Sequence, residues 1–355
     1  MRTPPAAADA VRRRRLSPLQ RFILVRAAML PVTMAAVLTL SFLVTSVLPV
    51  DPARSVAGSM ATEEIVDQVR ERLGLDRPLL ERFFDYVGAL LHGDLGRSYV
   101  SDLPVRDELL AKLPGTLTLV LPALVLAVVL GICLGVASAY WKDSAASAVA
   151  NNFVSILQAV PEFLLALLLV VVFASTMGVL PGPEGQLSIG TSPPAKVTGS
   201  IPVDALLAGD LAVLGDSLKH LALPVLTLGL AYSVMFARLS KALVGKALEM
   251  ECTRFARASG WSEWRVVRSS LLTARVPLMT YTAMLLAGLI GGVAIVEKVF
   301  SWGGIGQWTV ESMQYVDMPV IQGIVLFSGF ATVVVYLATD VASGLLDPRI
   351  PVGKG

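Results

Sequence analysis

The chain has 355 residues, 55% of them apolar and 16% charged, with a mean hydropathy of +0.70 and a formal net charge of +2. Soluble domains carry about a quarter charged residues, so this balance excludes a water-soluble domain and points to a bilayer. Two histidines, two cysteines and no Cys/His cluster leave no ligand set for a protein-built zinc site, and the absence of Gly-x4-Gly-Lys-Ser/Thr and of His-Glu-x-x-His excludes a P-loop and the zinc-protease motif.

Residues 1–26 form a Pro/Ala/Arg-rich tail with seven Lys and Arg, read as a cytosolic segment beside anionic lipid. The charge-free run Ala27–Leu48 follows. At about 22 residues it exceeds the apolar core of a cleaved signal peptide, so it reads as a retained anchor and first span. In 49–114, Thr62–Leu73 shows helical apolar spacing with Thr62 at the cap and Gly74 as the stop, and a second short helix runs from Pro78 to about Leu91. This external helical segment has two open readings: a cap packed on the bundle, or a platform for a protein that delivers substrate.

Further spans are expected at 115–140, 152–180, 220–244, 276–296 and 318–346, which makes an all-α integral membrane protein of six transmembrane helices. The stretch 181–219 is rich in Pro and Gly and reads as an external loop, and 297–317 reads as a loop on the gate side. With the N-terminus inside, 18 of the 29 Lys and Arg fall on the inner side, including eight in 238–275. The outer eight in 49–114 sit in a segment too long for the positive-inside rule to count. N-terminus in and C-terminus in, with a short tail at 347–355, is the expected topology.

Individual residues stand out against this frame. Glu162, behind Pro161, either touches headgroup water or lines a path through the membrane. Trp302 and Trp308 sit just outside the fifth span, where interface anchoring is the default, and the Gly303-Gly304-Ile305-Gly306 turn between them is a candidate piece of an outer gate. Gly288, Gly291 and Gly292 suit a close helix crossing. Cys133, within a span, and Cys252, in the basic loop, are not expected to pair.

The basic stretch 245–275 has its own pattern. Cys252, Phe255, Ala256 and Ser259 share one helical face, Arg254 and Arg257 fall elsewhere, and Glu251 opens the helix. Gly260 can close it in the left-handed conformation, Ser262 caps a second helix, and Val276-Pro277 marks the return to the membrane. The small residues Ala256, Ala258 and Gly260 would let another protein approach closely.

Here the sequence resembles the permease subunits of ATP-binding-cassette importers, and more narrowly the first permease of the oligopeptide/dipeptide and nickel branch. Arg254-Phe255-Ala256-Arg257-Ala258-Ser259-Gly260 matches the branch's loop pattern except at Phe255 and Ser259, and lacks the Glu that opens the wider family's loop. The resemblance extends to Leu73-Gly74-Leu75-Asp76-Arg77-Pro78, Gly93-Asp94-Leu95-Gly96-Arg97-Ser98, Val296-Glu297-Lys298-Val299-Phe300, Trp302-Gly303-Gly304-Ile305-Gly306 and Leu346-Asp347-Pro348-Arg349, and so covers about residues 20–350. The branch's His and Asn after the loop Gly are replaced within Ser269–Arg275.

The resemblance implies a permease domain at 115–346 and uptake of di- or oligopeptides, with nickel chelates or other small solutes as the alternative. It implies a second, similar permease, an external substrate-binding protein and two cytosolic ATPases that hold ATP and Mg, with no cofactor or enzymatic site in this chain. Residues 251–260 become the coupling helix that docks an ATPase, and no nucleic acid is involved. A secondary transporter is the rival reading, which intramembrane ionisable groups would have to carry.

Overall fold

A computed structural model of the chain describes residues 18–47, 51–58 and 60–346. The first part of the basic tail and the motif Asp347-Pro348-Arg349 lie outside the described residues. In chain order the helices are α1 (Pro18–Val47), α2 (Pro52–Ala57), α3 (Glu63–Arg72), α4 (Leu79–Leu91), α5 (Val105–Tyr140), α6 (Ala145–Ala159) and α7 (Glu162–Leu169), the last continued by a π-helical turn to Thr176. They continue with α8 (Ile201–Ala208), α9 (Leu211–Glu249), α10 (Glu251–Ala258), α11 (Glu263–Gly292), α12 (Ala294–Val299), α13 (Ile305–Gln314) and α14 (Met318–Leu346). Among the described residues there is no strand, only an isolated bridge between Arg97 and Pro104.

Five helices are long and apolar enough to cross a membrane, and six spans result if one bent pair counts as a single span. That pair is the expected third span, which is not a straight helix. Helix α6 and the segment Glu162–Thr176 meet at 104°. The break sits at Pro161, which has no N–H to continue the helix and forces the residue before it out of the α region; Val160 is extended at φ −97°, ψ 118°.

The core is built where α5, α9 and α11 cross. Leu119, Leu223, Leu228, Phe236 and Leu289 are almost fully buried there. Lipid tails are as apolar as leucine, so such a crossing needs close backbone approach rather than hydrophobic drive. Gly131 and Gly135, one helical turn apart on α5, supply it. A Cβ on Gly131 would collide with Phe236 and the Ser233 carbonyl, and one on Gly135 with Ser240 and the Ala237 carbonyl. Gly288, by contrast, faces open space. Gly131→Leu should therefore abolish the monodisperse peak in detergent size-exclusion, since even mild overpacking costs about 1–3 kcal/mol. Gly288→Leu should leave that peak intact.

At the end of the bundle nearest α2–α4, side-chain knots tie the long connections down. Asp317 is buried and accepts from the Ser98 hydroxyl at 2.5 Å and from the Tyr99 N–H at 3.0 Å, which pins the Gly93–Ser98 motif to the start of α14. Asp204 accepts from the Thr198 N–H and hydroxyl at 2.7 Å and from the Gly199 N–H at 2.9 Å, and this organises the start of α8 inside a stretch that the sequence reads as loop. The expected external helices appear as α3, stopped at Gly74 with φ +64°, and α4, followed by Gly93 at φ +78°. Thr62 stands at its cap position with no capping hydrogen bond from its side chain, and the same holds for Ser262 before α11.

Candidate docking helix and buried carboxylate knot

Two sites lie at opposite ends of the bundle. The first is α10, set off from α9 by the extended residue Met250 and from α11 by Gly260 at φ +80°. Left-handed geometry at Gly260 lets the Trp261 N–H reach back to the Ala256 carbonyl at 3.1 Å and close the helix end. The helix is fixed to its surroundings by few bonds. The Thr253 hydroxyl donates to the Ala247 carbonyl at 2.7 Å. Arg257 donates to Glu263 at 3.2 and 3.3 Å, and the Tyr140 hydroxyl donates to the same carboxylate at 3.0 Å, so the ends of α5, α10 and α11 meet on Glu263.

What α10 presents outward is unusual for a polar end. Phe255 and Trp264 are each 74% exposed, and Trp261 is 46% exposed. Cys252, Phe255 and Ser259 lie on the outward face as the spacing predicts, but Ala256 is turned partly inward together with Thr253. Glu251 sits in the first turn, where a negative charge suits the helix dipole. The two arginines separate: Arg257 is committed to Glu263, whereas Arg254 is exposed and makes no ion pair among the described residues. Ala258, Ser259 and Gly260 are exposed beside it. The second helix of the loop does not stop at the membrane, because α11 runs through Pro277 without a break.

The second site is a knot around Glu297, which the sequence places at the end of a span and within the Val296–Phe300 motif. Its side chain is fully buried. One carboxylate oxygen accepts from the Thr116 hydroxyl at 2.7 Å and the other from the Gln307 N–H at 2.9 Å, while the Thr116 oxygen accepts from the Ile305 N–H at 2.8 Å. Gly304 and Gly306 make room for it: a Cβ on Gly304 would occupy the space of the Glu297 carboxylate and the Thr116 hydroxyl, and one on Gly306 would strike the Ala294 backbone. Gly303, at φ +76°, donates its N–H to Gln307 at 2.8 Å.

Trp302 and Trp308 are buried inside the protein, 2% and 7% exposed, rather than presented on its surface as interface anchors would be. The reason is the indole N–H of Trp302, which finds a buried acceptor in the Gly115 carbonyl at 2.9 Å, while the Gln186 amide donates to the Trp302 carbonyl at 2.7 Å. Glu162 is half-buried elsewhere, at the start of α7, near Tyr232 on α9. The pairing of Glu297 with Thr116 is not visible in the sequence, since they are 181 residues apart; the usable signal is a Glu followed by Gly at both +7 and +9.

Burial pushes the Glu297 carboxyl above the usual glutamate range, against the opposing hydrogen bonds from Gln307 and Thr116. The folded chain therefore holds a proton over a window, starting near an ordinary value of about 4.3, where the unfolded chain has lost it. The stability contributed is full below that window and falls as pH rises through it. Glu297→Gln should flatten this slope in thermal unfolding and stay folded, because its amide can donate to Thr116 and accept from Gln307. Glu297→Ala strands the buried donors, each costing about 1–3 kcal/mol, and should lower the unfolding midpoint at every pH.

The fold and these sites define a class first. It is a bundle of membrane-crossing helices with an exposed short helix at one end and a buried carboxylate knot at the other. The family described as "Binding-protein-dependent transport system inner membrane component" matches residues 131–352, and its N-terminal counterpart matches residues 19–120. The chain is 38% identical over 327 residues to the probable D,D-dipeptide transport system permease protein DdpB of Escherichia coli strain K12, which covers 92% of this chain and 96% of that one. It is 34% identical over 323 residues to the glutathione transport system permease protein GsiC of Escherichia coli O6:H1, and likewise to that of Shigella dysenteriae serotype 1, with 90% and 94% covered. The chain belongs to the binding-protein-dependent transport system inner membrane component family and is a peptide-type ABC permease of the bacterial inner membrane.

Proposed function

We propose that this chain is one of two permease subunits of an ATP-driven importer of short peptides, with both termini in the cytoplasm and α10 docked on an ATPase subunit. The observation that carries this reading is α10 with the turn into α11: a short helix held out from the basic end of the bundle, with Phe255, Trp261 and Trp264 exposed and Arg254 without an ion pair among the described residues. Exposed aromatics beside an unpaired arginine are the composition of a binding hot spot. The excess of Lys and Arg on the same side supports a cytoplasmic position. ATP and Mg belong to the ATPases.

A push on α10 has a mechanical route to the far end. Glu263 gathers α5, α10 and α11, and α5 runs as one helix from Tyr140 to Gly115 and Thr116, about 37 Å away. There the Gly115 carbonyl holds Trp302 and the Thr116 hydroxyl holds Glu297. On this reading the knot, including Gly303, Gly304 and Gly306, moves as a unit with α5 and belongs to the outer gate. Glu162, close to Tyr232 of α9, lies near the bend of the third span and is a candidate for the path. Energy enters as a difference in ATPase contact between two arrangements of the bundles.

The two relatives are named for a D,D-dipeptide and for glutathione, both short peptides or peptide derivatives. This supports that substrate class for the present chain and leaves the choice within it to an external binding protein. The test is uptake into proteoliposomes holding this chain with its partner permease, ATPases and binding protein, offered labelled D,D- and L,L-dipeptides, glutathione and a nickel chelate. Saturable peptide uptake that needs internal ATP is the expected result. Uptake by this chain alone, driven by an ion gradient, would overturn the reading in favour of a secondary transporter.

A further inference from the structure

We propose that the groove between α1, α4 and α14 holds one anionic phospholipid, with its phosphate at Arg82 and Tyr86 and an acyl chain passing Leu95 toward Phe330. Two cavities are stacked on these three helices. The first, of about 420 Å³, is polar; its lining includes Arg82 and Tyr86 of α4, Thr45 of α1 and Gln322 of α14. The second, of about 470 Å³, is apolar and lined by Met34 of α1, Leu90 of α4, and Leu326 and Phe330 of α14, with Arg106 its one charged lining residue. Leu95 lines both. Tyr86 to Leu90 and Gln322 to Leu326 are each one helical turn, so the chambers adjoin along the direction in which α1 and α14 cross the bilayer.

The charges of the polar chamber leave one cation over. Arg70 is bonded to Asp51 at 2.5 Å and Arg77 to Asp85 at 2.6 Å, whereas Arg82 makes no ion pair among the described residues. The ring of Tyr86 stacks on Phe42 at 6.0 Å, and its buried hydroxyl has no hydrogen-bond partner among the described residues. A guanidinium and a hydroxyl without partners in one chamber are donors suited to a phosphate. A soluble anion would use that chamber and leave the apolar one beneath it empty; a phospholipid fills both in the order they occur.

The other face of α4 shows where the occupant comes from. Leu80, Phe84 and Leu91 are 69%, 67% and 82% exposed and fall on one side of the helix. An apolar outer face of that kind suits contact with acyl chains, so a phospholipid is the occupant that can reach the groove beside it. The site is remote from α10 and stands whether or not the transport reading does.

Native mass spectrometry of the full chain tests this, after exchange into micelles holding equal phosphatidylglycerol and phosphatidylcholine. Wild type should retain a single phosphatidylglycerol in preference to phosphatidylcholine by about tenfold, a preference charge-assisted phosphate bonds supply. Arg82→Gln should lose the preference, and Leu95→Trp, which fills the shared wall, should lose both lipids. Tyr86→Phe keeps the ring stack and removes only the donor, so it decides the matter should the other variants not fold; it should weaken retention about threefold. Equal retention by wild type, Arg82→Gln and Tyr86→Phe would mean a lipid annulus only and overturn the proposal. Glycerol 3-phosphate competing as well as the intact lipid would overturn it too, in favour of a soluble anion.

Discussion

On the proposed docking, Phe255→Asp should leave the bundle folded and strip the ATPase subunits from it. The side chain is 74% exposed and belongs to no buried cluster, so nothing in the isolated chain depends on it. In a docked complex its burial is worth about 1.5–3 kcal/mol, and a carboxylate placed in the same pocket adds an unpaired charge to the loss. Each 1.4 kcal/mol is a factor of ten, so association should fall by roughly a hundredfold or more. Co-purification of the ATPases should be lost while pairing with the second permease remains. Arg254→Glu should act in the same direction more weakly and with a dependence on salt, as an exposed charge does.

Gly304→Val yields no folded protein. A Cβ at this position would take the space of the Glu297 carboxylate and the Thr116 hydroxyl at once. Neither partner can retreat, because Glu297 is fully buried and Thr116 is bonded on its other side to the Ile305 N–H at 2.8 Å. Displacement leaves at least three buried polar groups unsatisfied, at about 1–3 kcal/mol each, against a total stability of about 5–15 kcal/mol for a typical domain. The expected readout is loss of the monodisperse detergent peak. Gly303→Ala should be far milder: nothing stands near its Cβ position, and the left-handed backbone alone costs about 1–2 kcal/mol.

The spans are legible because a bilayer imposes a length and an apolar composition that one sequence displays directly. Helix α10 is legible for a different reason: Gly260 punctuates a short helical pattern inside a basic loop, and the left-handed geometry it allows is a local property. The bend at Pro161 was within reach of local rules, but the continuous apolar run around it masks the break, since bilayer length counts residues and not their path. Gly131-Ile132-Cys133-Leu134-Gly135 is likewise a small-residue pattern at one-turn spacing, and it marks the close crossing that Gly288 does not.

The knots are another matter. Thr116 with Glu297 and Ser98 with Asp317 are separated by 181 and 219 residues, and no periodicity or propensity carries such a pairing. The same gap explains Trp302, whose position beside a span suggests an interface until its acceptor, the Gly115 carbonyl, is known. A side chain that satisfies its polar atom within the protein has no need of the headgroup region.

The measurement closest to the central claim uses the native Cys252, which is exposed on the outward face of α10. In a Cys133→Ala background, Cys252 is labelled with a maleimide photocrosslinker in an importer shown to take up peptide, and the products are identified by mass. A covalent adduct between this chain and an ATPase subunit, lost in Phe255→Asp, is the predicted result. Adducts to lipid or to the permeases alone, in a complex that still transports, would place α10 away from the ATPase and contradict the account.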